Sequence, residues 1–550
     1  MKNNKGFTLI ELLAVILILG IIALIAIPTV NNILKESRKG AFEASARNII
    51  KAAEEKCLTE HMKGNTVRQF IFTNGKVSPA LDVKGELPKD GVITLNENCE
   101  AEATLTDGDR KYVLTYEGST VEDCTDNSCS FASNLKESDE KYQCFNFDEE
   151  TGTILKYDGA NPTCQGDVYI PAMINDVPVV KINAFAFSNP NIVKCYIGEE
   201  LTEYPGTYIP KEEDGYCYGS SYGNNFKFDK LDMSDAGYLI EVDDEAFYGT
   251  GITEVKFNDN LRKIGDYAFS SSNTKKIVLP KNLIELREGA FKSSGLVELV
   301  INNKLKVIPQ EAFSCNLIKD INIPEGVEYI EESAFAWGDW ESAHTTINIS
   351  DTVIGIGRLA FMETGAVSVK LGKNLQYIGE SGFNFNNLTS INIPPSVTEI
   401  GAGAFTENKL TENQFIYNRN ADGTENKKSL NSYAGANTNI IVPDNIEELA
   451  KGSIQFCGAT SITLPEGLKY IREEALDGNN LTTITIPSTV EVIEKSGIKK
   501  RWNGNTNMTS IINKTGRSFD WSSITASSTA NQVFETGTIS HNYGAIEVTK

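Results

Sequence analysis

An aromatic residue preceded by a small one returns along this chain at a near-fixed interval, and no other feature restricts the fold as tightly. Phe247, Phe269, Phe291, Phe313 and Phe335 each follow alanine at steps of 22 residues; Phe361 comes after 26, and Phe383 (after Gly382) and Phe405 after 22 again. Phe187 anticipates the series, and Ile454, Leu476 and Ile498 continue it. The unit reads L-x-x-I-x-x-x-A-F-x(4)-L-x-x-I-x-I-P, and about twelve copies of a 20–29-residue unit imply stacked coils that each supply one short strand to a continuous sheet. Ile391 and Ile393 alternate with the two-residue period of a strand buried on one face. The proline of Ile277-Val278-Leu279-Pro280, Ile321-Asn322-Ile323-Pro324, Ile462-Thr463-Leu464-Pro465 and Ile484-Thr485-Ile486-Pro487 closes the strand, since it brings no amide donor to a ladder. A single coil cannot bury its own face, so neighbours must stack.

The N-terminus follows a different rule. From Phe7 to Ile27 only Thr8 and Glu11 are conspicuously polar, and this length meets the ~20 residues that a membrane-spanning helix requires. Lys2 and Lys5 ahead of it hold that end in the cytoplasm and send the remainder outward. A secretory signal has a shorter apolar core and a small-x-small cleavage site, whereas this run ends in Ala26-Ile27-Pro28. A carboxylate at mid-bilayer costs about 2.5–3.5 kcal/mol on insertion scales, so Glu11 marks a partner, and the natural partner is an ammonium group. Pro28 removes a helix hydrogen bond and should kink or open the helix. Beyond it, Asn31 to about Cys57 continues as an amphipathic helix with Phe42, Ala46, Ile49, Ile50 and Ala53 on its apolar face.

Residues 1 to about 57 resemble a type IV prepilin, with a leader ending in Gly6, a mature N-terminus at Phe7, and Glu11, Gly20 and Pro28 in place. The resemblance implies that a prepilin peptidase cuts after Gly6 and that the new amine of Phe7 is methylated. It also implies that Glu11 meets the Phe7 ammonium of a neighbouring subunit, a pairing that favours one register among apolar helices. The repeats, from about Phe145 to Ile498, resemble the BspA-type leucine-rich repeats of bacterial surface proteins. That family implies adhesion and host or partner binding and transfers no catalytic residue. Two insertions depart from it: one between Phe187 and Phe247, with Cys217 and five tyrosines (Tyr204, Tyr208, Tyr216, Tyr218, Tyr222), and one near Phe415 to Thr438.

The expected fold class is α+β: a long N-terminal pilin helix with a small antiparallel sheet, then a leucine-rich repeat solenoid and a C-terminal cap. The segments are a leader at 1–6, a transmembrane and assembly helix at 7–57, a pilin-like β domain at 58–135, the repeats at 136–498 and a polar cap at 499–550. Within 58–135, Val92–Leu95, Ala103–Leu105 and Tyr112–Tyr116 alternate as strands, separated by turn-rich Asp107-Gly108-Asp109 and Glu117-Gly118-Ser119.

Ten cysteines in an exported chain make disulfides possible, and no C-x-x-C pair points to zinc or thioredoxin-like chemistry. Cys144 and Cys164 flank the start of the solenoid and are the favoured bridge; Cys99 with Cys124 or Cys129 is a second. Cys195, Cys315 and Cys457 read as core thiols. The three histidines lie far apart and no G-x-S-x-G, P-loop or H-E-x-x-H is present, so catalysis lacks its usual groups and neither metal nor cofactor is expected. Asn418-x-Asn420-x-Asp422-Gly423 imitates an EF-hand loop, but its twelfth position is Ser429, and a hairpin turn is the better reading. Trp337 and Trp340 sit in the one repeat lengthened to 26 residues; in an inserted loop, outside the coil-to-coil contacts, they are candidate ligand anchors.

The net charge of −23, two units lower once Lys2 and Lys5 leave with the leader, repels nucleic acid and anionic headgroups. The function these features point to is a non-enzymatic pilin subunit, of the minor kind, that displays its repeats for adhesion or protein binding. It would pass from a single-pass membrane state, N-terminus cytoplasmic, to the cell surface or an extracellular pilus. The partners implied are the prepilin peptidase, other pilin subunits through the N-terminal helix, the membrane before assembly, and a protein or host-surface ligand of the repeats. The alternative is a pseudopilin of a type II secretion or DNA-uptake machine that recruits cargo.

Overall fold

The computed structural model describes residues 9–550 except 64–66, 68, 74, 84–86, 96–98, 116–117, 124–133, 189, 198–199, 206–208, 210–215, 223–227, 339–343, 495, 499–506, 522–532 and 540–544; helix side chains are described from Lys35 onward. The chain forms two compact units, Met1–Asn134 with Ala236–Tyr238, and Leu135–Asp235 with Leu239–Lys550.

In the first unit one helix, α1 (Leu9–His61), runs through Pro28, so the proline does not end it. Ala46, Ile49, Ile50, Ala53 and Cys57 are its buried residues, at the three- and four-residue steps that make one helix face. Six antiparallel strands follow: β1 (Gln69–Thr73), β2 (Lys76–Ser78), β3 (Asp90–Leu95), β4 (Ala101–Thr106), β5 (Arg110–Thr115) and β6 (Gly118–Asp123), in the spatial order β2-β1-β3-β4-β5-β6. The buried helix face packs on Phe70, Phe72, Ile93, Ala103, Leu105 and Tyr112 of the sheet. Cys57, last on that face, is joined to Cys99 (Cα–Cα 5.7 Å). This corrects the expected pairing of Cys99 with Cys124 or Cys129: the helix face carries Cys57 onto the sheet just where the chain enters β4. Cys124 and Cys129 lie outside the described residues. Among the described residues no helix is long and apolar enough to cross a membrane; the Phe7–Ile27 run expected to do so lies outside the residues whose side chains are described.

The second unit is a β-solenoid of about twelve turns. Most coils supply two short parallel strands instead of the single one expected, but the coil after Tyr377–Ile378 keeps only its first, so the strand expected at Ile391 and Ile393 does not form. Residues such as Ile264, Leu286, Ile330, Ile356 and Ile378 point inward from the first column of strands, paired in register with the coils beside them. Ile277 and Leu299, then Ile321 and Ile347, do the same in the second.

Between the columns runs the aromatic position. Tyr157, Phe187, Phe247, Phe269, Phe291, Phe313, Phe335, Phe361, Phe383 and Phe405 form one row of stacked rings with centroids 4.6–5.8 Å apart. Tyr157 extends the row one coil beyond the aromatic series read from sequence. The chain bends around each ring from Phe247 to Phe405 through left-handed residues two before and two after it, for example Tyr267 (φ 53°) and Ser271 (φ 57°) about Phe269, and Leu359 (φ 57°) and Glu363 (φ 54°) about Phe361. Such backbone is unfavourable for non-glycine residues. It is held because the amides there bond the next coil from Phe247 to Phe383, as Tyr267 N–H to Glu288 O (2.8 Å) and Leu359 N–H to Glu380 O (2.9 Å).

A buried asparagine three residues after the spine residue, a ring in three cases and Leu476 in the fourth, closes four of the coils. Asn386 Nδ2 donates to Phe361 O (2.8 Å), Phe383 O (3.1 Å) and Asn384 O (3.2 Å), while its Oδ1 accepts from Ala366 N–H (3.0 Å). Asn316, Asn408 and Asn479 repeat this pattern. Elsewhere a smaller group substitutes, as Ser294 Oγ donating to Phe269 O (2.8 Å).

The second insertion is also narrower than expected. Phe415–Arg419 and Glu425–Tyr433 form an antiparallel hairpin, and its returning strand rejoins the solenoid with Leu430 paired to Leu449. Tyr433 then takes the ring position, its amide bonding Ser453 O (2.7 Å) as the phenylalanine amides bond their neighbours. The Asn420–Thr424 segment is the hairpin turn, with Asp422 Oδ1 accepting from Thr424 N–H (3.0 Å). Beyond Ile498, Ser510–Asn513 and Ile546–Thr549 extend the second column in parallel, and Met508, Ile511, Trp521, Ile546 and Val548 are buried.

Candidate functional site

Of the residues singled out for processing and assembly, Gly6 and Phe7 lie outside the described residues; Glu11 lies on α1, with its side chain outside them. Cys144 and Cys164 are joined at the start of the solenoid, Cα–Cα 5.5 Å. The bridge fastens the three-residue helix Tyr142–Cys144 to that of Pro162–Cys164, around the buried Tyr157 whose hydroxyl donates to Cys164 O (2.7 Å).

Cys195 is not a core thiol. It is bonded to Cys217, which faces it across two antiparallel strands of the first insertion, Pro190–Ile197 and Tyr216–Tyr222. Antiparallel pairing sets the two residues opposite each other, and the sequence period offers no view of that. Of the tyrosines in this insertion, Tyr204 packs against the Val193–Cys195–Cys217 cluster; Tyr208 lies outside the described residues.

Cys315 is exposed and free, contrary to the core reading, because it occupies the left-handed position two after Phe313, where the bend turns the side chain outward. Trp337 stands at the same position of the next coil (φ 58°), 37% exposed. Its amide donates to Met362 O (2.9 Å), so Trp337 belongs to the coil ladder and not to the inserted loop. Trp340 lies outside the described residues. Cys457 takes the asparagine position of its coil: the thiol approaches Gln455 O (3.3 Å) and Tyr433 O (3.7 Å), and burial pushes its pKa up.

The outward residues of the first column hold what the sequence reading missed. The early coils present a ladder of alternating charge, Lys181, Glu241, Lys263 and Glu285, with Glu241 held by Lys181 (3.2 Å) and Lys263 (2.9 Å). Further on the ladder gives way to Tyr329, Gly355 and Tyr377. Tyr329 and Tyr377 are 47% and 36% exposed, although they are large and partly apolar. Gly355 between them is buried; a Cβ there would sit 3.1 Å from Tyr329 Cδ1, so the ring leans over the bare backbone. The three residues line a cleft of about 610 Å³ with Gln310, Glu332, Arg358 and Gln376 at its rim. Arg358 Nη1 is bonded to Glu332 (2.5 Å). Reading each repeat by its residue before the inward isoleucine would have shown the Tyr-Gly-Tyr run.

The BspA-type leucine-rich repeat profile matches residues 240–343, 339–425 and 424–537, over the coils just described. The chain belongs to the BspA-type leucine-rich repeat family. This BspA-type protein also carries a prokaryotic N-terminal methylation motif at residues 1–27, the mark of a type IV prepilin. It is similar to the type IV major fimbrial protein FimA of Dichelobacter nodosus, 34% identical over 107 residues, which cover 18% of this chain and 66% of that protein. The chain thus spans slightly less than two thirds of that relative. Among solved structures it is similar to the pneumococcal vaccine antigen PcpA (15% identity, 76% of this chain and 84% of that one, TM-score 0.32). A leucine-rich repeat protein of Bacteroides ovatus is similar at 16% identity, covering 67% and 86% of the two chains, TM-score 0.33.

Proposed function

We propose that this BspA-type protein is a type IV pilin-like subunit, of the minor kind, that displays its repeat domain on the cell surface for adhesion or protein binding. The observation that carries this reading is the union in one chain of a methylation motif at residues 1–27 with BspA-type repeats from residue 240 onward. In this account a prepilin peptidase cleaves after Gly6, Phe7 becomes the methylated N-terminus, and the chain waits as a single-pass membrane protein before assembly with other pilins. Glu11 neutralises the Phe7 ammonium of a neighbour, since a lone charge among apolar helices is costly. Export agrees with the three disulfides among the described residues, which persist in oxidising surroundings. A solenoid that buries its apolar face coil against coil leaves its outer columns free for a ligand, and Trp337 is one anchor on that surface.

Mass spectrometry of the assembled protein tests the processing. A mature chain starting at N-methylated Phe7 supports the reading; an intact Met1 start, or cleavage near Pro28, removes it. Glu11→Ala should leave export and folding intact and lower incorporation into filaments.

A further inference from the structure

We propose that the Tyr329–Gly355–Tyr377 cleft binds one neutral pyranose ring of a surface glycan. The inference rests on reading the repeat domain as a binding module and is independent of the filament assignment.

The cleft has the parts a sugar needs. Tyr329 and Tyr377 stand on the same outward column with one coil between them. Coils stack at about 4.8 Å, so these rungs are about 9–10 Å apart, roughly twice one ring-to-ring contact. The Tyr329 ring leans over the glycine rung between them, so a guest ring takes the open cleft beside that ring and Tyr377. The intervening residue is glycine and contributes no side chain to the cleft, whereas the glycines two residues on (Gly357, Gly379, Gly401) answer to coil packing, since a Cβ there would lie 2.2–2.7 Å from the backbone of the preceding coil. Two exposed tyrosines, each with an apolar face and a hydroxyl, are unusual beside the charged rungs Lys263 and Glu285 of the same column.

The rim decides the chemistry. Gln310 and Gln376 present amides, and the Glu332–Arg358 pair presents a carboxylate beside a guanidinium. A pyranose places its C–H face on a tyrosine ring and its hydroxyls against those donors and acceptors. A purely apolar guest would strip the same groups of water without replacing the hydrogen bonds. An anionic sugar would meet Glu331 and Glu332 on a chain of net charge −23, so the ring is neutral.

The test uses the full chain, purified in lauryldimethylamine oxide, a detergent without a sugar headgroup. It is titrated with methyl β-galactoside, methyl α-mannoside and diacetylchitobiose, with sialyllactose and a phenylalanine-containing peptide as contrasts. Binding is followed by saturation-transfer NMR. At least one neutral probe should bind saturably in the millimolar range. Tyr377→Ala should weaken it at least tenfold without changing thermal unfolding, because the side chain is exposed. Gly355→Val, whose side chain displaces the Tyr329 ring, should weaken it likewise. The proposal is overturned if no neutral probe binds, if Tyr377→Ala binds as wild type does, or if sialyllactose or the peptide is preferred. Filament location is read by microscopy on cells, so either reading can fail alone.

Discussion

Phe335 and Phe361 stack with ring centroids 5.3 Å apart and planes 3° from parallel, although 26 residues separate them where 22 separate most of their neighbours. The coil-to-coil bonds hold on both sides of the lengthened segment, Gly338 N–H to Glu363 O (2.8 Å) and Thr346 N–H to Lys319 O (2.8 Å), and the stack is undisturbed. The ring row is therefore the invariant of the solenoid, and coil length is not.

Removing one ring tests that directly. Phe313 is 1% exposed and stacks on Phe291 and Phe335. Phe313→Ala should cost about 3–5 kcal/mol, the usual loss for an aromatic taken from a core. Urea unfolding measures it, and a loss below about 1 kcal/mol would mean the row is not a stabilising element.

The asparagine closures should matter almost as much. Asn386→Ala leaves the buried carbonyls of Phe361, Phe383 and Asn384 and the Ala366 amide without that partner. Each such group costs about 1–3 kcal/mol, partly recovered by water. A loss of at least about 2 kcal/mol is expected, against a smaller one for Asn387→Ala, a half-buried residue whose side chain accepts from Lys409 Nζ.

Glu407 gives a pH signature. Its side chain has a buried oxygen without a partner among the described residues, and burial, with the nearby Glu363 charge, raises its pKa to about 9. The unfolded chain ionises near 4.5, so the protonated carboxyl favours the fold at low pH, and that advantage is lost as pH rises toward 9. Glu407→Gln should thus unfold near wild type at pH 4 and at an increasingly higher temperature than wild type from pH 5 to 9. Glu245, raised by burial to about 8, acts in the same direction in both proteins and cancels. A difference that does not vary with pH would contradict the assignment.

Trp337 separates display from packing. Its ring is partly exposed, and its amide serves the coil ladder. Trp337→Ala should alter unfolding by less than about 1 kcal/mol, as surface changes do, and should weaken attachment of intact cells to a host or partner surface. A marked fall in melting temperature with attachment unchanged would make it a packing residue.

The spine was legible in the sequence because its side chain is almost always phenylalanine after a small residue. The closing position was not, because Asn316, Asn386, Asn408 and Asn479 share it with Thr250, Ser272, Ser294, Gly338, Thr364 and Cys457, residues that have only small size in common and, except for Gly338, a side-chain donor. Tyr433 escaped because it follows serine at a step of 28, after a hairpin that the period cannot foresee. Cysteine pairing failed for Cys57 and Cys195 for one reason: both partners are brought together by antiparallel sheet or helix packing, which no 22-residue spacing encodes. The first-column strand is only two residues long in most coils, such as Lys263–Ile264 and Tyr329–Ile330, too short for alternation to declare itself. The tyrosine cleft becomes visible only when coils are aligned and read across.

The account centres on a pilin-like N-terminus that delivers a BspA-type repeat domain to a surface filament. Immunogold labelling of intact cells and sheared filaments, with antibody raised against residues 240–537, tests it most directly. Sparse gold on filaments, lost in the Glu11→Ala strain while total protein is unchanged, is the predicted result. Gold confined to the cell envelope, with filaments unlabelled in wild type, would contradict display and point to a secretion or DNA-uptake pseudopilin instead.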